Sequence, residues 1–427
     1  MRIALPEVLR EEPRYRLLFA GQILSLIGDR ISFIAIPFAV LAIGDLGDLA
    51  IVEASLALPF LFVAIPGGTV ADRFGRRETM IVADVARAVV QATMAALLLT
   101  GSAEIWMLAV LAGLFGIAEA FFGPAMVGLM PQTVETARLQ QANALFGLVQ
   151  NAGMVIGPAL AGVLLALTGP GDAIAIDSVT FIVSAFFLMR LRPAEVTSGD
   201  PGEEGPHDLL DGLREGWAIV RGSGWILPGI GALVAYTTFV LPSIFVLGPT
   251  LAERDLGGAT AWAAIATAFG VGAVAGSVVA YRVRFERTLV ACFAAMIVAC
   301  SQGLIISSGL SVPVIALLEA LSGIGVSVFF TLWDTTVQQQ VPPEATARVS
   351  AYDWAAAVGL MPIGLALSSP IASAIGLETT MRLGTAVGVV AALACLAVPA
   401  VRRVRRPPDP EPGYATAPAS ASSAPVS

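Results

Sequence analysis

The chain of 427 residues has no lysine, so all 24 of its basic side chains are arginines. It has one histidine, His207, and three cysteines, Cys292, Cys300 and Cys395. Charged residues make up 13% of the chain, where a soluble protein carries about 25%. Each shortage excludes something. A metal centre needs a cluster of His, Cys or carboxylate ligands, and none is in sight. The cysteines fall inside apolar runs and read as small core residues, not as a disulfide. No Ser/His/Asp or Cys/His constellation suggests an enzyme, and no cofactor is expected. No basic tract with interleaved aromatics suggests nucleic acid. The net charge of −8 comes largely from loop acids, notably those between 195 and 215, and marks no recognition surface. The N-terminal MRIALPEVLREEPRYR has no cleavable signal pattern, and the first apolar run is expected to be retained.

Apolar residues are abundant, at 56% of the chain. They gather in runs near 17–41, 49–70, 79–100, 105–128, 142–167 and 172–190. Six more lie near 225–250, 260–281, 288–308, 312–332, 351–375 and 380–401. A helix needs about 20 apolar residues to cross a bilayer, and each run is long enough for a tilted span. The expected fold is therefore an all-α integral membrane protein with twelve transmembrane helices in two six-helix bundles. Twelve spans put both termini on one side. With the N-terminus in the cytoplasm, 20 of the 24 arginines fall inside, Arg30 and Arg87 lie within spans, and only Arg254 and Arg382 fall in outer loops. That asymmetry follows the positive-inside rule and predicts a multi-pass protein of the cytoplasmic membrane. Residues 1–192 form the first half, 193–222 a cytoplasmic linker, 223–406 the second half and 407–427 a disordered Pro/Ala/Ser tail. The DLLDGLREGWAIV stretch of the linker predicts a short amphipathic surface helix.

The halves resemble each other. GGTVADRFGRRET at 67–79 aligns without gaps to GSVVAYRVRFERT at 276–288. FFGPAMVGLMPQTVETAR at 121–138 resembles FFTLWDTTVQQQVPPEATAR at 329–348. The matches follow the second and fourth helix of each half, so they imply duplication, with a substrate path between the halves.

The most specific motif is Gly67-Gly68-Thr69-Val70-Ala71-Asp72-Arg73-Phe74-Gly75-Arg76-Arg77, between the second and third helices. It resembles the signature loop of the major facilitator superfamily: Gly, three residues, Asp-Arg, one residue, Gly-Arg-Arg. Gly68 permits close helix packing and Gly75 a tight turn. Asp72 suits the positive N-terminal end of a neighbouring helix. The resemblance makes that neighbour the eleventh helix and makes the contact a latch on the outward-facing state. Arg73, Arg76 and Arg77 are expected to pair with carboxylates on nearby cytoplasmic loops, such as Glu135, or simply to anchor topology. The second-half copy has Tyr281 in place of Asp72, so the latch is one-sided.

In the fifth helix, Gly153, Gly157, Pro158 and Gly162 resemble the Gly-Pro motif of family antiporters, with Ala161 where a glycine is common. Ordinary close helix packing would account for the same residues. LLFAGQILSLIGDRISFIAIPFAV and the segments around 57–77 and 121–147 resemble a bacterial exporter branch. That branch includes the enterobactin exporter and multidrug and macrolide efflux proteins.

Ionisable residues at mid-bilayer are costly and mark candidate sites. Asp29 and Arg30 fall near the middle of the first helix, Glu119 in the fourth and Glu319 in the tenth. The resemblance places the first, fourth, seventh and tenth helices around the central cavity. Asp29 and Glu119 are the leading candidates for proton coupling, with Glu319 next; a static ion pair of Arg30 with Asp29 or Glu119 is the alternative. Asp84 and Arg87, spaced i, i+3, read as a structural pair. Glu53 and Asp177 are expected near the outer surface, within reach of water. Asp334 and Asp353 are candidates for the gate network. Phe115, Tyr236, Phe239, Phe329 and Trp333 are expected to line a cavity for a large, partly apolar substrate. The function these features predict is proton-coupled export of an amphipathic small molecule, such as a drug, antibiotic or siderophore-like metabolite, by a monomer in the lipid bilayer. A nutrient importer on the same fold is the first alternative, and a non-transporting membrane sensor or enzyme is the second.

Overall fold

The computed structural model describes residues 7–193, 214, 216–283, 285–342, 349, 352–353 and 355–405. Residues 63–72 and 136 are described by their backbone alone. His207, Arg284, Arg348, Arg406, most of the 193–222 linker and the 407–427 tail therefore lie outside the described residues.

Among the described residues the long elements are all helices: α1 Pro13–Leu41, α2 Leu46–Phe74, α3 Arg76–Thr100, α4 Ile105–Leu129, α5 Leu139–Leu167 and α6 Pro170–Arg190. They continue as α7 Ile226–Leu256, α8 Ala259–Arg282, α9 Thr288–Ile306, α10 Val312–Gln340, α11 Ala355–Ile375 and α12 Leu377–Ala397. Eleven of these are long and apolar enough to cross a membrane. The remaining one, α2, is 29 residues long, and part of it is described by backbone alone. Helices are what such a sequence must form, because lipid offers no partner to a free backbone N–H or C=O. Large apolar side chains such as Val82, Val127 and Leu317 stand exposed on the outside of the bundle, as a lipid-facing surface requires.

The turns are built from local chemistry. Asp45 caps α2 by accepting from the Gly47 and Asp48 amides at 2.7 and 3.1 Å, while Asp48 accepts from the Asp45 amide at 2.9 Å. The α2–α3 turn pivots on Gly75, whose φ of +96° lies in the left-handed region. α7 is not a regular α-helix: its 236–240, 243–247 and 252–256 stretches are π-helical. Pro242 and Pro249 lie in this helix and have no N–H to give. The wider turns let Leu241 bond the Tyr236 carbonyl, five residues back, at 3.1 Å.

The bundle has two unlike ends. One carries the turns at 41–46, 100–105, 167–170, 256–259, 306–312 and 375–377 and is poor in arginine. The other carries the Gly75 turn and most of the arginines. At the arginine-poor end a single apolar core draws on all twelve helices, from Ile34 of α1 to Met381 of α12. At the arginine-rich end the core is split in two. One part, around Leu18, Met80 and Leu129, uses only residues before 192. The other, around Phe293, Phe329 and Trp333, uses only residues after 219. The first and second sets of helices are thus joined at one end and separately packed at the other.

Candidate functional site

A cavity of about 270 Å³ lies where the two sets of helices meet. α1 contributes Arg30 and Phe33, α5 Met154 and Pro158, α7 Tyr236 and Phe245, α8 Trp262 and Phe269, and α10 Glu319 and Phe330. The wall is mostly apolar and aromatic. It carries one cation, Arg30, from the first set and one carboxylate, Glu319, from the second. Glu319 is 1% exposed, and its Oε1 has no hydrogen-bond partner among the described residues. Gln302 of α9 lines the cavity with Glu319 and accepts from the Tyr236 hydroxyl at 3.2 Å.

Small residues make this cavity possible. A Cβ at Gly157 would collide with the Arg30 side chain, and one at Gly153 with Leu26, so α5 lies directly against α1 at the level of Arg30. Gly162 stands against Ala263 of α8, where a Cβ would fall 2.8 Å from that methyl. Pro158 faces the cavity itself. Gly153, Gly157, Pro158 and Gly162 therefore hold α5 between α1 and α8 and leave Arg30 room to reach the cavity.

A second polar site lies within the first set of helices. Arg87 of α3, 1% exposed, pairs with both Asp84 and Glu119 of α4. Its guanidinium lies 4.0 Å from the Phe122 ring centroid and 4.4 Å from that of Phe181. Ser184 of α6, within electrostatic reach of Asp84, accepts from Gln22 at 3.0 Å. Asp177 of α6 accepts from Ser32 at 2.6 Å and from Gln91 at 2.8 Å. Asp29 lies within electrostatic reach of Asp177, Glu119, Arg87 and Arg30. Four carboxyls, Asp29, Asp84, Glu119 and Asp177, thus share the neighbourhood of two arginines, Arg30 and Arg87.

Several sequence expectations need correction here. Asp177 and Glu53 are not at a wet surface: they are 0% and 6% exposed. Each lies seven residues into its helix, about 10 Å from the end at 1.5 Å per residue, and points inward. Asp84 and Arg87 are not an isolated pair but the hub that takes in Glu119. Among the aromatics, Tyr236 lines the central cavity and the other four do not. Phe115 stacks edge-on to Phe181, 5.7 Å between centroids, beside the Arg87 site. Phe239 is 47% exposed. Phe329 and Trp333 pack with Phe293 in the second-set core, and the Trp333 indole N–H donates to Asp353 at 2.9 Å. Helix membership alone could not show which face of the helix each ring occupies. The rings that do line the cavity beside Tyr236 are Phe33, Phe245, Trp262, Phe269 and Phe330. They carry no sequence signal apart from their position on lining helices.

The signature loop is also sharper in detail. Gly67, Gly68 and Asp72 lie on the α2 backbone, with their side-chain surroundings outside the described residues. Arg73 stands exposed, 5.7 Å from the Phe74 ring. Arg76 donates to the Gly128 carbonyl at 2.6 Å. Arg77 donates to the Leu188 and Met189 carbonyls at 2.8 and 2.6 Å, and to Glu78 at 3.0 Å. These carbonyls end α4 and α6, where a helix has unpaired acceptors and a partial negative charge. Both arginines therefore bind helix ends. Glu135 belongs to a separate group: its amide and Arg138 both donate to Glu12, and Arg138 also pairs with Glu11.

A family model described as Major Facilitator Superfamily matches residues 18–360. The multidrug efflux pump Tap of Mycobacterium tuberculosis is 28% identical over 410 residues, which covers 92% of this chain and 94% of that one. Macrolide efflux protein A of Streptococcus pyogenes is 24% identical over 403 residues, covering 92% and 97%. Among solved structures, the nucleoside transporter NupG matches with a TM-score of 0.70 at 11% identity, covering 90% of this chain and 98% of that one. A bacterial homologue of the human lysosomal transporter Spinster, in an inward-facing and unoccupied conformation, matches with a TM-score of 0.70 at 16% identity, covering 93% and 100%. On the family match over most of its length, and with the fold to agree, this chain belongs to the major facilitator superfamily.

Proposed function

We propose that this protein exports amphipathic small molecules across the cytoplasmic membrane in exchange for protons, by alternating access. Twelve spans form two related six-helix halves, bounded at 1–192 and 223–406, with 193–222 joining them and both termini in the cytoplasm. The observation that carries the reading is the division of the core. One shared core seals the arginine-poor end, and two separate cores part at the arginine-rich end. With the positive-inside orientation, this is the inward-facing state of a rocker, with the central cavity at its apex. The cavity's aromatic wall suits an apolar body, and Arg30 and Glu319 offer it one charge of each sign.

The proton side of the exchange rests on charge balance. Two arginines cannot neutralise four neighbouring carboxyls, so the Asp29, Asp84, Glu119 and Asp177 group has two acids in excess. Protonation removes that excess, and Asp29 and Glu119 are the members assigned to coupling, with Glu319 on the opposite wall. The signature loop from Gly67 to Arg77 is assigned to gating at the arginine-rich end. Arg76 and Arg77 there hold the ends of α4 and α6, and Asp72 and Gly68 supply the latch. Relatives named for multidrug and macrolide efflux favour a drug- or antibiotic-like cargo over a siderophore-like one, and favour export over nutrient import. The major facilitator superfamily is a transporter family, and its members are not enzymes. The working unit is taken to be the monomer.

The test is accumulation of a fluorescent amphipathic dye in cells with and without the protein. Lower accumulation that a protonophore abolishes is the expected result. Higher accumulation in expressing cells would point to import, and no difference across a broad panel of dyes would remove the transport reading.

A further inference from the structure

Glu53 of α2 is a carboxylic acid 6% exposed in the seam that closes the arginine-poor end. It borders a small void with Phe33 and Pro37 of α1, Ile244, Phe245 and Pro249 of α7, and Trp262 of α8. The seam is tight: the Phe33 and Phe245 rings meet edge to face at 5.3 Å across the two sets of helices. No hydrogen bond or ion pair joins Glu53 to any described residue, and only the rings, prolines and aliphatic side chain of the void face it.

The charged groups on the surrounding helices do not answer it. α1 carries Arg14 and Arg16 in its first turn at the arginine-rich end and Asp29 and Arg30 in its middle, and Arg30 lines the central cavity, not this void; Asp45 and Asp48, at the start of Glu53's own helix, are engaged in its cap. α4 carries only Glu119, which is paired with Arg87. The charges of α3, from Arg76 to Arg87, lie in its first half, toward the arginine-rich end. α7 carries Glu253, Arg254 and Asp255 in its last turn, at the same arginine-poor end but exposed and outside this void, where Arg254 pairs with Asp255 and Glu378. α8 ends in Arg282 at the opposite end of the bundle, and the Met361–Ile375 segment of α11 carries no charge.

An ionised carboxylate in such a place would lose its hydration with nothing to replace it. A neutral carboxylic acid fits the same space. When the seam opens, Glu53 faces water and is free to ionise. We infer that Glu53 is a proton-binding site of the outer seam: the arginine-poor end closes only when its carboxyl holds a proton, so closure carries one proton inward with the moving halves. The step is balanced, because one proton taken from the outer water onto a carboxylate oxygen is returned when the seam reopens or the proton moves on. This inference rests on the alternating-access reading above, and adds a site outside the Asp29/Glu119 group, one that acts on the gate itself.

The experiment uses the full chain in lipid nanodiscs. Ser102 and Ser308 are exposed residues in turns at the arginine-poor end, one in each set of helices. Cysteines there carry spin labels, since Cys292, Cys300 and Cys395 are buried. The label–label distance is then measured against pH. A one-proton linkage allows the closed-to-open ratio to change by at most about tenfold per pH unit. Expected for the wild type is a shift from short to long distances as pH rises. For E53Q, which mimics the protonated acid, the short distance should persist at every pH, with less than about a twofold change in ratio. E53D keeps a titratable group and should keep the pH dependence. If E53Q shifts with pH as the wild type does, or if E53D loses the dependence together with E53Q, the inference is overturned. A wild type that exports in a proton-dependent way beside a pH-sensitive E53Q would sink this site alone. A wild type with no proton-dependent transport would sink the larger reading instead.

Discussion

Arg87→Met is the perturbation that the Arg87 site answers most sharply. The substitution keeps an unbranched side chain but removes the cation. Asp84, at 0% exposure, then loses its ion pair and keeps its burial. Breaking one side of a buried pair costs about 3–5 kcal/mol, because the other charge is left uncompensated. The Glu119 partner is 34% exposed, so its share is small, about 1 kcal/mol or less. The two ring contacts, at 4.0 and 4.4 Å, add about 1–2 kcal/mol between them. Together these come to about 6 kcal/mol, more than ten-thousandfold in the folding equilibrium. Reversible unfolding in mixed micelles, followed by tryptophan fluorescence, reads it. The double variant Arg87→Met with Asp84→Asn removes both charges and should regain about half the loss, because no buried ion remains. Stability of R87M within about 1 kcal/mol of the wild type, or a double variant no better than the single, would refute the reasoning.

Gly157→Leu should cut dye efflux by at least about tenfold while the protein still inserts, because its side chain takes the place of Arg30; Gly147→Ala, with open space around it, should be neutral. Arg77→Ala deletes two charged hydrogen bonds to the end of α6 and should cost about 2 kcal/mol in the same unfolding assay. Asp29→Asn and Glu319→Gln should each leave thermal stability within a few degrees and abolish proton-dependent export in vesicles. Wild-type transport by both would remove them from the coupling role.

Most of the helix plan was legible in the hydropathy alone. The run at 105–128 became Ile105–Leu129, and that at 172–190 became Pro170–Arg190. Boundaries slipped where polar residues continue a helix past its apolar part. α10 runs on through Thr335, Thr336 and Gln338 to Gln340, eight residues beyond the run ending at 332. Hydropathy measures which residues enter lipid, whereas helix length is set by where the backbone can still bond itself. The irregular turns of α7 were not legible, since Pro242 and Pro249 signal a departure without saying which. Side-chain facing was the other gap. A helix turns 100° per residue, so an error of one position moves Phe329 into the core and Phe330 onto the cavity. Arg30, Tyr236 and Glu319 were reachable because intramembrane polar groups must face protein or cavity. The burial of Glu53 and Asp177 depends on partners from distant helices, which no local pattern encodes.

Drug-accumulation measurements in everted membrane vesicles, with the arginine-rich face turned outward, test the central claim most directly. Imposing an acidic interior should drive uptake of an amphipathic cation-bearing dye into vesicles that contain the protein, and a protonophore should stop it within the assay. Uptake that is unchanged by the protonophore, or absent while the protein is folded and correctly oriented, would contradict proton-driven export.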